Sequence, residues 1–416
     1  MRTGTAGQAS EWIQRAVIVL ALSGAVLFAY RRPVSWSNEV AAVAAAGRVN
    51  EVIPPSYFGL TINSIGLPRP WPDLEFGGVR LWGAIYWAQV NPAPGVYDWK
   101  RFDDILRVAE QQQVDVVMNL AFTPKWAAAV KDAPPAFAPG ASSPPADMAS
   151  WEDWVRAAVT RAAGRVKYWE IWNEPEDPKY YSGDVAGMVK MQRRAYEIIK
   201  GIDPTLKVLT PPSNGTVDGF RWQSAFLAQG GGRYADIFAF HGYLSAPEGV
   251  IGIIEHFRRI LTQHGLGALP MWDTEAGWSS WEENQAGCLA RAYILKWIYG
   301  VDRFFWYEFA GGGTDFGKLW DPAHGLLPAA IAYRTVHKWL VGATVLAATR
   351  EGRSVWIIEL RLADGRKAVA LWNAVSTSSH QVGPNFHRYQ DLDGREAPIV
   401  DGAVQIGPKP ILLLEG

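Results

Sequence analysis

Between Val49 and Leu340, apolar strand patterns alternate eight times with helix patterns, and this alternation restricts the possible folds more than any other feature of the sequence. Predicted strands cover residues 57–62, 78–82, 114–120, 168–175, 207–210, 237–241, 269–275 and 303–307. The helix after the second strand carries apolar residues at i, i+3, i+4 and i+7, namely Phe102, Ile105, Leu106 and Ala109. Eight strand–helix repeats over about 290 residues predict an α/β fold, a (β/α)8 TIM barrel at residues 47–340.

After Val341 the helix patterns stop, and short apolar strands separated by turns take their place. The strands cover residues 355–360, 368–372 and 411–414, with turns at residues 363–365 and 393–394. So small a sheet is only marginally stable alone. We therefore expect a C-terminal antiparallel β domain at residues 341–416 that packs on the barrel.

The N-terminal residues 1–46 read as an export segment rather than as part of the fold. Residues 16–30 are apolar or small, Arg2 and Arg15 precede them, and Arg31 and Arg32 follow. This length suits either a cleaved signal peptide, with a small-residue site at residues 44–46, or a retained transmembrane helix that starts near Trp12. Both alternatives predict a periplasmic or secreted protein, and the second holds it at the membrane through residues 12–30.

Composition excludes several classes of protein. The net charge is −1 without a long basic run, so a nucleic-acid surface is not expected. Cys288 is the single cysteine and the seven histidines are scattered, so neither a disulfide nor a zinc motif is predicted. No glycine-rich phosphate loop or dinucleotide fingerprint occurs, so no cofactor is expected. The 21 tryptophans are more than packing needs, and flat indoles suit the apolar faces of sugars.

The residues that carry chemistry are two glutamates at predicted strand ends. The fourth strand runs from Tyr168 to Pro175, where proline stops the ladder and leaves Glu174 at the carboxyl end. Simple alternation places Glu170 and Glu174 on one face of this strand and Asn173 on the other. Glu275 ends the seventh strand in the same way.

Strand ends four and seven face each other across the mouth of a closed barrel, where such enzymes keep their active sites. Two carboxyl groups across a cleft are what hydrolysis of a glycosidic bond requires, one as proton donor and one as nucleophile or stabiliser. Glu170 is the strongest competing acid, because it shares a predicted strand face with Glu174, and a buried supporting role suits it better.

Trp-Asn-Glu-Pro at residues 172–175, together with Thr-Glu-Ala-Gly-Trp at residues 274–278, resembles the clan A retaining glycoside hydrolases. Within the clan, the sequence is most similar to glycoside hydrolase family 39 and to relatives associated with bacterial exopolysaccharide production. Residues 121–126, after the third strand, match the same group. The resemblance implies that Glu174 is the general acid/base, Glu275 the nucleophile, and Asn173 a hydrogen-bond donor to the sugar 2-hydroxyl. It also implies double displacement, with the carboxyl groups about 5–5.5 Å apart.

Further binding residues follow from the same resemblance. Arg80 would keep the nucleophile ionised, the Tyr243 hydroxyl would bond it, and His241 belongs to the same His-x-Tyr motif. Trp306 would form the floor of the sugar site. Three more indoles are candidate sugar platforms with packing as the alternative: Trp82, Trp126 and Trp278.

The expected substrate is an oligosaccharide or polysaccharide, and the export segment favours a polysaccharide of the cell envelope. That role would bring polysaccharide-assembly proteins as partners. Two alternatives stay open, an inactive carbohydrate-binding scaffold and a transglycosylase. Sugar identity, linkage, endo or exo cutting and oligomeric state are not determined by the sequence.

Overall fold

The computed structural model describes residues 48–62, 71–83, 85–133, 138–279, 284–310 and 317–416, all within one compact unit, Val40–Gly416. The predicted export segment at residues 1–46 lies outside the described residues. Among the helices that are described, none has the length and apolar character needed to cross a membrane.

A parallel sheet that closes on itself forms the centre of the protein. Its strands are β1 (Phe58–Thr61), β2 (Gly78–Arg80), β3 (Asp115–Leu120), β4 (Tyr168–Ile171), β5 (Lys207–Leu209), β6 (Ser213–Asn214), β7 (Phe238–His241), β8 (Met271–Ala276) and β9 (Val301–Trp306). Their order is β5-β4-β3-β2-β1-β9-β8-β7-β6, with parallel pairing throughout.

The barrel closes between the fifth and sixth predicted strands. Leu209 of β5 forms a parallel bridge to Ile237, just before β7, and the short β6 pairs with β7 further along. β5 and β6 together therefore fill one position, and the strands of the described chain occupy eight positions around the barrel. The predicted (β/α)8 architecture is confirmed.

The helices follow the strands and cover the sheet. They are α1 (Trp87–Val90), α2 (Lys100–Gln111), α3 (Met148–Ala162), α4 (Val185–Ile202), α5 (Val217–Ala228), α6 (Val250–Gln263), α7 (Gln285–Ile298) and α8 (Pro328–Leu340). Short 3-10 turns lie at Pro55–Tyr57, Gly231–Tyr234 and Pro247–Gly249. The apolar stripe predicted for α2 is buried against the sheet at all four positions, which explains why this segment is helical.

The amino end of the barrel interior is filled by side chains. Trp272 and Phe305 pack there with Val117, and Tyr168 covers them. The Arg303 guanidinium lies 4.6 Å from the ring centre of Trp272, a cation–π contact. Trp272 therefore marks the face of β8 that points into the barrel.

The C-terminal residues form antiparallel strands, as predicted. After a small hairpin, β10 (Trp320–Asp321) and β11 (Gly325–Leu326), come β12 (Thr344–Glu351), β13 (Val355–Arg361), β14 (Lys367–Asn373), β15 (Ser378–Gln381), β16 (Phe386–Gln390), β17 (Glu396–Pro398), β18 (Ala403–Ile406) and β19 (Ile411–Glu415). Six strands pair in the order β12-β13-β14-β19-β16-β17, and β15 pairs with β18. The Trp372 indole N–H donates to Glu248 at 3.2 Å, which ties this sheet to the barrel.

Candidate active site

Glu174 and Asn173 lie just beyond β4, in a turn rather than in a strand. Trp172 and Glu174 have φ angles of 62° and 44°, in the left-handed region that non-glycine residues rarely adopt. The turn brings Asn173 to the interior side, where Asn173 and Glu170 both bond Arg80. The prediction that Asn173 faces away from Glu170 is therefore wrong, because alternation stops where β4 ends at Ile171.

Glu275 is aimed into the mouth by a β-bulge. Between Asp273 and Ala276, β8 advances three residues while β9 advances two, from Phe304 to Trp306. Without this extra residue, Glu275 would lie on the face of β8 opposite to Trp272, outside the barrel interior. A bulge redirects a side chain in this way, and the Glu275 carboxylate reaches Arg80 inside the barrel.

Arg80 connects the two motifs. Its Nη1 donates to Glu275 at 2.6 Å, its Nε donates to Glu170 at 2.8 Å, and its Nη2 donates to Asn173 Oδ1 at 2.8 Å. The side chain of Arg80 has no solvent exposure. Burial alone would lower the pKa of Arg80, but the neighbouring Glu170 and Glu275 carboxylates raise it. Arg80 is thus a permanent cation between one supporting and one candidate catalytic acid.

Each candidate catalytic acid has its own partner near the end of β7. His241 Nδ1 lies 2.6 Å from Glu174 Oε1, and the Tyr243 hydroxyl donates to Glu275 Oε1 at 2.7 Å. Burial lowers the pKa of His241, which favours the neutral imidazole. The two residues of the His-x-Tyr motif therefore bond different carboxyl groups.

The two acids are close to each other. One carboxylate oxygen of Glu174 and one of Glu275 lie within 4.8 Å of each other, and a ring nitrogen of His241 is within the same distance of both. Inverting glycosidases need about 6.5–9.5 Å between their carboxyl groups to admit a water molecule. The closest approach of the two acids here is shorter than that separation. The same three groups are the one cluster of the described chain whose spacing could suit a metal ion.

The two acids differ in their charged surroundings. Burial raises the pKa of Glu174 to about 7, and the Asn214 side chain and Arg80 oppose the shift. Burial also raises the pKa of Glu275, and the charge of Arg80 and the hydrogen bond from the Tyr243 hydroxyl oppose this shift. Arg80 donates a hydrogen bond to Glu275 and not to Glu174, so its charge favours the ionised form of Glu275 more strongly.

Two residues that support the site were not predicted from the sequence. The side-chain amide of Asn119 in β3 donates to Glu170 at 3.1 Å and also to the Trp172 carbonyl. It therefore holds both the supporting acid Glu170 and the turn that precedes Glu174. A polar residue inside the apolar run 114–120 was the available signal. Glu176 accepts from the backbone N–H of Asn214 at 2.6 Å, and burial raises the pKa of Glu176 to about 8.

The predicted indoles take different positions. Trp82 is 8% exposed beside Tyr307, with ring centres 6.0 Å apart, and keeps a small accessible area. Trp306 has no exposure, donates to Gly317 and stacks on Trp278, which is 1% exposed. Trp278 is therefore packing behind Trp306 rather than an open platform.

Trp126 lines a groove on the outside of the barrel. Its indole N–H donates to the Asn91 carbonyl at 2.8 Å, and it lies in a groove beside Tyr97 and Trp99, at the outer side of α2 and α3. Trp126 is partly buried there, and its role as a sugar platform stays a prediction.

Several solved structures with a similar fold are glycoside hydrolases. A family 39 glycoside hydrolase from Bacteroides cellulosilyticus WH2 superposes with a TM-score of 0.71 at 20% identity, over 88% of this chain and 83% of that chain. The family 39 β-xylosidase from Caulobacter crescentus gives a TM-score of 0.62 at 18% identity, over 89% and 98%. The family 51 arabinofuranosidase from Xanthomonas axonopodis pv. citri gives 0.56 at 13%, over 89% and 98%.

The sequence itself matches no protein-family model and no curated protein. The predicted resemblance to family 39 and its clan is thus confirmed at the level of the fold.

Proposed function

We propose that this protein is a retaining glycoside hydrolase that cleaves O-glycosidic bonds of an oligosaccharide or polysaccharide. The observation that supports this most is the pairing of Glu174 and Glu275 within 4.8 Å, each bonded to a different partner. The fold is shared with glycoside hydrolases, and the proposed roles depend on the geometry of this chain's own residues.

In the first step, protonated Glu174 gives its proton to the oxygen of the leaving group while the Glu275 carboxylate attacks the anomeric carbon. The glycosidic bond breaks, and a covalent glycosyl ester forms on Glu275. Arg80 and Tyr243 hold the attacking carboxylate in line, so little reorganisation is needed at the moment of reaction.

In the second step, ionised Glu174 takes a proton from water, and the hydroxide attacks the anomeric carbon from the side that the leaving group vacated. The ester bond to Glu275 breaks, and the sugar leaves with its original anomeric configuration. His241 Nδ1–H donates to Glu174 in this charged state. The Asn173 side-chain nitrogen is buried and has no hydrogen-bond partner among the described residues, which leaves a donor for a sugar hydroxyl.

The test is hydrolysis of a panel of 4-nitrophenyl glycosides of pentoses and hexoses, followed by defined oligosaccharides. Proton NMR of the first-formed product must show the retained anomer, and inverted product would end the proposal. Glu275→Ala is expected to bind but not cleave the best substrate. Transfer of the glycosyl group to an added sugar in preference to water would instead identify a transglycosylase.

We also propose export of the protein, with an envelope polysaccharide as the natural substrate and polysaccharide-assembly proteins as partners. The support is the apolar run 16–30 between arginines. Cell fractionation of the full-length chain, with the mass of its N-terminal peptide, distinguishes cleaved from retained segments. Recovery of the intact chain in the cytoplasm alone would contradict the proposal.

A further inference from the structure

A buried ion pair lies behind the candidate nucleophile, on the outer face of β8. Asp273 Oδ2 is 2.7 Å from Lys296 Nζ of α7, and neither side chain has any solvent exposure. The Lys296 ammonium also lies 3.3 Å from the ring centre of Phe304, so an aromatic face covers it. Removing two charges from water costs free energy, so stability alone does not explain this ion pair.

The other oxygen of Asp273 binds the backbone of the bulge. Asp273 Oδ1 accepts from the Glu275 N–H at 3.3 Å and from the Gly242 N–H at 3.1 Å. The bulge lies between Asp273 and Ala276, so the Glu275 amide belongs to the segment that turns Glu275 inward, while the Gly242 amide follows β7. A bulge leaves ladder groups without their usual partners, and here the carboxylate accepts from the Glu275 N–H. The Gly242 N–H is shared between this carboxylate and the Glu275 carbonyl, which lies 3.2 Å away.

The Asp273 carboxylate occupies the space that a side chain at position 242 would need. A Cβ at this position would come within 2.2 Å of Asp273 Oδ2. Gly242 lies between His241 and Tyr243, the partners of Glu174 and Glu275. One carboxylate therefore ties the nucleophile's backbone to the segment that carries the partners of both acids.

We infer that Asp273, held by Lys296, is a positioning residue whose carboxylate fixes the bulge that aims Glu275 into the mouth. The inference rests on the proposed function for its kinetic consequence, but its structural content is independent of any substrate. Burial favours neutral forms of both groups, raising the pKa of Asp273 and lowering that of Lys296 to about 8, and their mutual attraction opposes this.

Two double variants of the full-length chain separate the acceptor oxygen from the charges. D273N/K296M removes both charges but keeps a side-chain oxygen for the two amides. D273L/K296M removes the charges and the acceptor at nearly the same volume. The matched control R291M/E248Q removes another buried ion pair of α7, which joins Arg291 Nη1 to Glu248 at 2.9 Å and bonds no residue of the bulge.

Crystal structures give the deciding measurement, because they need no substrate. We expect Glu275 to stay bonded to Arg80 in D273N/K296M and in the control, and to leave Arg80 in D273L/K296M. If Glu275 keeps its bonds to Arg80 and Tyr243 in D273L/K296M, the inference is overturned. If D273L/K296M does not fold, Gly242→Ala serves in its place, and an undisturbed Glu275 there overturns the inference equally.

Kinetics on the best aryl glycoside supply the second measurement. D273L/K296M is expected to lose about 100-fold in kcat, the scale of a 1 Å misplacement, with little change in KM. D273N/K296M should recover most of that loss, and equal losses in both double variants would contradict the positioning role. A parent chain that cleaves no glycoside would refute the proposed function, while the crystal structures would still decide the role of Asp273.

Discussion

Arg80 donates a 2.6 Å hydrogen bond to Glu275, although 195 residues separate them in the chain and Arg80 has no contact with solvent. Glu170 binds the same guanidinium from the opposite motif. The cation is therefore shared between a structural acid and the candidate nucleophile, and its removal affects stability and chemistry together.

Arg80→Met should leave two buried carboxyl groups without their cation. We expect the free energy of unfolding to fall by about 3–5 kcal/mol and kcat/KM by at least about 100-fold, as for the loss of a preorganised donor. Arg80→Lys keeps the charge but cannot make all three hydrogen bonds. Its unfolding free energy and kcat/KM should therefore lie between those of the parent and those of Arg80→Met. Urea unfolding and initial rates measure both effects. Unchanged kcat/KM in a folded Arg80→Met variant would exclude the assigned role.

Tyr243→Phe removes only the hydroxyl that bonds Glu275 Oε1. Because a single lost donor in such a site costs about 10²–10³-fold in kcat, we expect a loss on that scale with stability changed by about 1 kcal/mol. Tyr293→Phe is the control: its hydroxyl donates to the Gly59 carbonyl at 3.2 Å and bonds neither acid. Equal activity losses in the two variants would show that the Tyr243 effect is only structural.

The proton on Glu174 sets the alkaline limit of activity. Since burial raises the pKa of Glu174 to about 7, kcat/KM should decline above that pH as the proton donor is lost. Glu174→Gln should show no such decline at alkaline pH, the alkaline limb of the profile. It should cleave only substrates with activated leaving groups, which need no proton. The measurement is a pH–rate profile with 4-nitrophenyl and 2,4-dinitrophenyl glycosides. A parent-like alkaline limb in Glu174→Gln would assign the limb to another group.

The same raised pKa predicts a pH-dependent stability. The folded state binds this proton more tightly than the unfolded chain, so the contribution of Glu174 is fully present below pH 4.5 and is lost as pH rises through about 7. The shift corresponds to about 3 kcal/mol. The unfolding free energy of the parent minus that of Glu174→Gln should fall by about this amount between these pH values. A difference that is flat with pH would contradict the raised pKa.

The sequence by itself determined the barrel, the antiparallel C-terminal strands and the two acids. Strand and helix periodicities are local, so they survive in a linear pattern, and Pro175 and Gly277 mark the strand ends that carry Glu174 and Glu275. Glu170 was correctly expected to be a buried support.

Only the tertiary structure decided how those residues meet. The left-handed Trp172 places Asn173 on Arg80, and the bulge after Asp273 points Glu275 inward. Trp278 went to a packing position that its neighbours in the chain do not reveal. These outcomes depend on contacts between residues far apart in sequence. One extra residue or one changed backbone angle moves the following side chains to the opposite face of the strand. The alternation of apolar and polar residues along one strand contains no information on such a turn or bulge, because contacts with residues on other strands of the barrel stabilise it.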